Sequence, residues 1–170
     1  MRLFVAVLFE KPIVDALCTA GEELCGQAHS GDFTRWENLH MTMAFLGETE
    51  NLTGATRALD AVQAAPFPLL LRGMGRFWNN GDTLYWMGAE KTAGLLAAQG
   101  QICRQLRAEG FVLEERAFAP HVTLGRRVRM RDGFDPQHFA ESIPPLYMQV
   151  RRISLMRSEH VHGALTYTEL

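Results

Sequence analysis

The chain has 170 residues, of which 47% are hydrophobic and 21% are charged, and its formal net charge is −2 at pH 7. This composition excludes disordered and fibrous proteins, and the slightly negative charge excludes affinity for nucleic acids through a generally basic surface. The length predicts one domain, or two small lobes that share one core.

The first apolar run, residues 3–9, is too short to span a membrane and is followed by no small-residue cleavage site. We therefore expect a cytoplasmic protein without a membrane segment. Three cysteines, Cys18, Cys25 and Cys103, form no CxxC pair, so the sequence indicates neither a disulfide framework nor a zinc ribbon.

Hydrophobic periodicity predicts strands that alternate with helices, and no low-complexity linker divides the chain. Helical spacing of apolar residues predicts three helices. The first covers residues 12–25, the second is marked by residues 52–62 and ended by Pro66, and the third is marked by residues 95–106 and closed by Gly110. Apolar or alternating runs between Gly, Pro and Asn turns predict seven strands, at residues 2–9, 40–46, 67–73, 83–87, 121–126, 146–156 and 164–168.

Two of these strands carry the same short motif, His-x-Thr. The first motif contains His40 and Thr42, and the second, 81 positions later, contains His121 and Thr123. Each motif lies in the corresponding part of its half of the chain. The echo predicts one domain, residues 1–170, built from two similar αβ lobes that each contribute one motif.

Alternate side chains of a strand project from one face, so the histidine and threonine of each motif project together. In the first motif, Met41, Met43 and Phe45 are then expected to point the other way, into a core. Val122 and Leu124 are expected to anchor the second motif in the same manner. Each strand would thus present an imidazole and a hydroxyl side by side on a polar face.

This pair of motifs suits acid–base chemistry if the two strands face each other across a cleft. Two imidazoles that titrate near neutrality can act together as a general acid and a general base. Threonine hydroxyls can donate hydrogen bonds to an anion between them. A phosphodiester fits such a site, because in-line attack places acid and base on opposite sides of phosphorus without a metal. The spacing alone leaves open two half-buried structural histidines.

These residues resemble the two-histidine (2H) phosphoesterase superfamily and, within it, the bacterial RNA 2′,3′-cyclic phosphodiesterases, also called 2′-5′ RNA ligases. The resemblance covers residues 2–6, 37–42, 45–48 and 120–124, and a closing pattern of Ser158, Gly163, Tyr167 and Leu170. The chain departs from the usual pattern at Met41, Met43 and Gly125, where aliphatic residues or alanine are common.

The resemblance implies an α+β fold with two pseudo-symmetric lobes, in which antiparallel sheets line a central cleft and helices lie outside. It also implies that His40 is the proton donor, that His121 is the proton acceptor, and that Thr42 and Thr123 bind the phosphoryl oxygens. The implied reaction is hydrolysis of a terminal RNA 2′,3′-cyclic phosphate to a 2′-phosphomonoester. We expect no metal and no cofactor.

Arg126 is a further candidate for phosphate binding, since the family often has arginine at this position. Strict alternation would turn it away from the face of His121 unless the strand bulges at Gly125. The cluster of Arg126, Arg127, Arg129 and Arg131 indicates either a solvated surface or a track for an RNA backbone.

Two alternatives to hydrolysis remain at this point. The chain could be a nucleotide-binding module that does not turn over its ligand, or it could join RNA ends through a 2′-5′ bond by the reverse reaction. In each case the expected partners are RNA ends or cyclic nucleotides, and the expected state is a monomer.

Overall fold

The computed structural model describes residues 1–79 and 82–170, within which the chain forms nine strands and four α-helices. The strands are β1 (Arg2–Val7), β2 (Ala28–Phe33), β3 (Met41–Glu48), β4 (Phe67–Asn79), β5 (Asp82–Ala89), β6 (His121–Met130), β7 (Leu146–Val150), β8 (Ser154–Val161) and β9 (Ala164–Glu169). The helices are α1 (Lys11–Gly26), α2 (Leu52–Asp60), α3 (Ala93–Ala108) and α4 (Pro136–Ser142), and a 3₁₀ turn covers Trp36–Asn38.

All strand pairs are antiparallel, and eight strands follow the order β7-β4-β5-β6-β3-β1-β8-β9, with β2 added beside β6. Helices and antiparallel strands together make this an α+β fold, as expected. The strands of both halves belong to one continuous sheet, because β3 and β6 meet where Met41 lies opposite Val122.

The connection between β7 and β8 shows that this sheet is curled. We expected one strand over residues 146–156, but the chain leaves the sheet after Val150 and re-enters it at Ser154. Four residue steps span at most about 14 Å. In a flat sheet, the six strand steps between β7 and β8 would separate them by roughly 29 Å. The two ends of the sheet therefore curve toward each other.

The main core lies between one face of the sheet and the helices. Its helical contribution comes from fully or nearly fully buried side chains of all four helices, including Leu17, Ala55, Ile102 and Phe139. A smaller cluster on the opposite face contains Phe4, Ala6 and Met156. The helices thus support one face of the sheet, and the curled other face is left to form a cleft.

None of the helices that the structure describes combines the length and the apolar character needed to cross a membrane.

Candidate active site

The crossing of β3 and β6 positions the two His-x-Thr motifs. In the described part of the chain, the two strands pair at one position, where Met41 lies opposite Val122, and both of these side chains are 0% exposed in the main core. Because side chains alternate along a strand, the histidine and threonine that flank each of these residues project from the other face. The motifs therefore lie side by side and run in opposite directions.

A cleft of about 640 Å³ opens over this crossing. The residues that line it include His40, Thr42, His121, Thr123 and Arg126. The structure thus brings all five site residues predicted from the sequence to the wall of one cavity, although they come from strands distant in the chain.

Backbone carbonyls orient both imidazoles in the same way. Nδ1 of His40 lies 2.7 Å from the carbonyl oxygen of Asn38, and Nδ1 of His121 lies 2.7 Å from that of Ala119. A carbonyl oxygen only accepts hydrogen bonds, so each Nδ1 carries the proton and Nε2 is left to exchange one. Nε2 of His40 lies 3.1 Å from Oγ1 of Thr42.

Aromatic rings hold each imidazole in place. The ring of Tyr167 meets His40 edge-on, with centroids 4.9 Å apart and an interplanar angle of 85°. Phe4 packs against the same imidazole at 4.9 Å with a tilt of 46°. On the other strand, Phe77 meets His121 edge-on at 5.3 Å and 84°. The two histidines therefore have closely similar supports as well as the same tautomer.

The environment of His40 makes it a weaker base than an exposed histidine. Burial lowers the pKa of His40, and the nearby positive charges of Arg126 and His121 lower it further, whereas the hydrogen bond to the Asn38 carbonyl raises it. A bound anion beside His40 and Arg126 would favour the protonated imidazole, and it would thus oppose the lowering of the pKa by burial and by the nearby positive charges. His40 is thus placed to gain a proton when an anionic ligand enters the cleft.

A β-bulge explains how Arg126 reaches the cleft. Tyr85 on β5 pairs with Gly125, but the next residue, Trp86, pairs with Thr123, so β6 contains one residue more than β5 between these pairs. The extra residue resets the alternation, and Arg126 returns to the face of the motif. The sequence predicted that Arg126 would share a face with His121 only if the strand bulged at Gly125, and the structure has a bulge next to this residue.

A corresponding irregularity in β3 shows that the orientation expected for Phe45 is wrong. The pairing of β1 with β3 shifts register between Val5 and Ala6, and this reverses the alternation after the first motif. Phe45 is 47% exposed and lines the cleft instead of entering the core. It occupies the same position, five residues after the motif histidine, that Arg126 occupies in β6.

The other arginines of the predicted cluster lie apart from the cleft lining. Arg127 forms an ion pair with Asp32, and Arg129 and Arg131 are exposed. Of the four, Arg126 lines the cleft. The cluster does not form one continuous surface directed at the site.

Asn38 is a site component that sequence reasoning missed. Its side chain is 8% exposed, donates a hydrogen bond from Nδ2 to the carbonyl of Leu165 at 2.9 Å, and accepts one at Oδ1 from the N–H of Tyr167 at 3.3 Å. These contacts join β9 to the turn that precedes His40. The partners are 127 and 129 positions away, so no local pattern indicates them.

Possible metal ligands do not gather elsewhere in the described residues, where no group of three or more His, Cys, Asp or Glu side chains is arranged to hold an ion. His160 and His162, the nearest approach to a ligand pair in the sequence, are exposed at the β8–β9 hairpin.

Comparison with known proteins identifies the family. A family model for the 2′-5′ RNA ligase superfamily matches residues 13–162. Relatives named RNA 2′,3′-cyclic phosphodiesterase include proteins of Geobacillus stearothermophilus, 32% identical over 79% of this chain, and of Thermus thermophilus, 32% identical over 100% of this chain and 88% of that protein. This chain spans 44% of the length of the Geobacillus protein.

Solved structures agree with this assignment. A crystal structure of a Thermus thermophilus protein superimposes with a TM-score of 0.77 at 27% identity and covers 100% of this chain and 95% of that one. Escherichia coli LigT in complex with 3′-AMP gives a TM-score of 0.81 at 24% identity, over 99% of this chain and 94% of that one, which supports the fold. The resemblance read from the two motifs is confirmed: the chain belongs to the 2′-5′ RNA ligase superfamily.

Proposed function

We propose that this chain hydrolyses terminal RNA 2′,3′-cyclic phosphates to 2′-phosphomonoesters. The observation that carries the proposal is the pair of imidazoles, each with Nδ1 held by a backbone carbonyl 2.7 Å away, on the wall of one cleft. A proton donor and a proton acceptor are needed together for this reaction, whereas nucleotide binding alone does not need them. The names of the relatives supply the substrate class.

In the proposed mechanism, His121 acts as the base and His40 as the acid. Nε2 of His121 takes a proton from a water molecule as the water oxygen bonds to phosphorus. The bond from phosphorus to O3′ breaks on the opposite side, and Nε2 of His40 gives its proton to O3′. The products are a 2′-phosphomonoester and a 3′-hydroxyl, and transfer of a proton from His121 to His40 through solvent restores the starting state.

Thr42, Thr123 and Arg126 are proposed to bind the non-bridging phosphoryl oxygens. Hydroxyl and guanidinium donors stabilise the negative charge that builds on these oxygens in the transition state. Arg126 lies close enough to His40 for its charge to lower the pKa of that imidazole. A phosphate anion beside both groups therefore favours protonated His40, the form that an acid requires.

The decisive experiment compares variants of the three histidines His40, His121 and His138. Each of His40→Ala and His121→Ala should lower kcat/KM for a 2′,3′-cyclic mononucleotide by about 10²–10⁴-fold, the usual contribution of general acid–base catalysis. His138 is exposed on α4 away from the cleft, and His138→Ala is the matched control with unchanged activity. Phosphorus NMR of the product identifies the 2′-phosphomonoester. Full activity in either cleft variant would remove the assignment.

The same product assay separates the alternatives. A binding module would retain the cyclic nucleotide without forming a phosphomonoester, and a ligase would consume an RNA end with a 5′-hydroxyl in place of water. Loss of activity on chelation, restored by a divalent ion, would argue against a mechanism that needs no metal.

We also propose that residues 1–170 act as a cytoplasmic monomer in which two similar lobes share one core. Light scattering of the purified chain tests the monomer, and a dimer whose dissociation abolishes activity would contradict it.

A further inference from the structure

A row of polar side chains crosses three strands beside the proposed catalytic residues. Arg2 on β1 pairs with Ser158 on β8, and Ser158 pairs with Tyr167 on β9. Residues directly opposite in antiparallel strands project from the same face, with Cβ atoms about 4.5–5.5 Å apart. All three residues line the cleft. We call Arg2, Ser158 and Tyr167 the polar row.

The donors of the polar row are not engaged by the protein. Among the side chains that the structure describes, the Arg2 guanidinium and the hydroxyls of Ser158 and Tyr167 have no hydrogen-bond or ion-pair partner; the contact of Tyr167 with Asn38 uses its backbone N–H. In contrast, Arg116, another arginine of the cleft, pairs with Glu114 at 2.7 Å. Glu48 lies opposite Arg2 in the pairing of β1 with β3, and its carboxylate forms an ion pair with the N-terminal ammonium at 3.6 Å. The polar row therefore offers a guanidinium and two hydroxyls to a ligand.

The polar row lies beside the histidine proposed to act on the cyclic phosphate, and it extends away from that histidine. Its inner end is Tyr167, whose ring touches His40 at 4.9 Å. At its outer end, Arg2 is two residues before Phe4, which packs on His40, so the two α-carbons are about 7 Å apart along β1. Arg126 already supplies a cation near His40. Arg2 is thus placed for a second anion.

We propose that the polar row binds the phosphate at the 5′ position of the terminal nucleotide, the one that joins it to the rest of the RNA. This inference rests on the proposed function. An RNA end carries two phosphates on its last ribose, the cyclic one at the 2′ and 3′ oxygens and the next at the 5′ oxygen, whereas a cyclic mononucleotide carries one. A cleft with two separate anion sites selects the RNA end.

The test compares two nucleotides that differ by one phosphate, adenosine 2′-phosphate and adenosine 2′,5′-bisphosphate. Isothermal titration calorimetry on the wild-type chain should show that the bisphosphate binds at least about tenfold more tightly, as expected for hydrogen bonds to a charged group. Arg2→Gln removes the cation, and Tyr167→Phe removes the hydroxyl but keeps the ring on His40. Each variant should reduce the ratio of the two affinities toward one.

Arg129→Gln is the matched control, because Arg129 is an exposed arginine outside the cleft lining, and it should keep the wild-type ratio. The preference for the bisphosphate should also weaken as salt is raised, and less steeply in Arg2→Gln. Equal affinities in the wild type, no binding of either nucleotide, or an unchanged ratio in both polar-row variants would overturn the inference. Turnover of a 2′,3′-cyclic mononucleotide, measured separately, decides the proposed function.

Discussion

Replacing Asn38 by alanine removes the side chain that joins β9 to the turn before His40. It would leave the N–H of Tyr167, which now bonds to the amide oxygen at 3.3 Å, without a partner. The carbonyl of Leu165 would lose its 2.9 Å bond to the amide and keep the guanidinium of Arg35 at 3.3 Å. The lost bond costs about 1 kcal/mol and the unsatisfied N–H about 1–3 kcal/mol, so we expect a loss of about 2–4 kcal/mol in the free energy of unfolding. A loss of about 3 kcal/mol lowers the Tm of a chain of this size by about 6–12 °C.

The same substitution should change the titration of His40. Burial, to which the ring of Tyr167 contributes, is the main cause of the lowered pKa of this imidazole. A loosened β9 would admit water beside the imidazole, so we expect the pKa of His40 to rise toward its ordinary value in Asn38→Ala. NMR titration of the His40 ring protons measures this change, and differential scanning calorimetry measures Tm.

A matched control separates this effect from general loss of stability. Asn51 caps α2, where its Oδ1 accepts a hydrogen bond from the N–H of Gly54 at 2.9 Å, and it is exposed. Asn51→Ala should cost about 1 kcal/mol and leave the titration of His40 unchanged. If Asn38→Ala unfolds at the wild-type temperature and His40 titrates as before, the role of Asn38 in positioning the site is refuted.

Two further predictions concern titration and packing. The pKa of His40 is lowered in the folded state, so its contribution to the stability of the protein is fully present above the ordinary pKa of about 6.5 and is lost as the pH falls through the folded-state value. Urea unfolding at pH 7.5 and 5.5 measures this loss of stability. We expect the loss between the two pH values to be smaller in His40→Gln than in the wild type. Gly75→Ala would place a methyl carbon 2.3 Å from Cζ2 of Trp86, and we expect it to lower the free energy of unfolding by about 1–3 kcal/mol. Gly21→Ala, which meets no atom within 4 Å in α1, is its control and should not destabilise the protein.

Helices with several turns of regularly spaced apolar residues could be predicted from the sequence, whereas two short elements, β2 and α4, could not. The predicted helices correspond to α1, α2 and α3, although α2 ends at Asp60, earlier than the predicted end at Pro66. β2 contains Gly31 and no alternation of buried residues, and it forms because its backbone pairs with β6. α4 has seven residues and one fully buried side chain, Phe139, so no helical period could reveal it.

In the candidate site, too, the features that depend on neighbouring residues could be predicted, whereas those that depend on residues distant in the sequence could not. Alternation along a strand was enough to place the histidine and threonine of each motif on one face, because that property belongs to neighbouring residues. It failed at Phe45, where the bulge depends on how β1 pairs with β3. The support that Asn38 gives to β9 depends on contacts between the two ends of the sequence, which no local pattern encodes.

The residues that follow the motifs explain how two equivalent histidines could take different roles. A site with one acid and one base needs different environments for its two imidazoles, since identical ones would not assign the proton. The two motifs have the same pattern of histidine, apolar residue, threonine, apolar residue and small residue. They differ at the position five residues after each histidine, where the cleft receives Phe45 from one strand and Arg126 from the other. An anion that binds Arg126 also lies near His40, whose pKa responds to that arginine, and it would thereby direct the proton to His40. Under the proposed mechanism, the direction of proton transfer is therefore set by the two residues that follow the bulges, Phe45 and Arg126, and by the burial of one ring. The motifs supply the groups that exchange the protons.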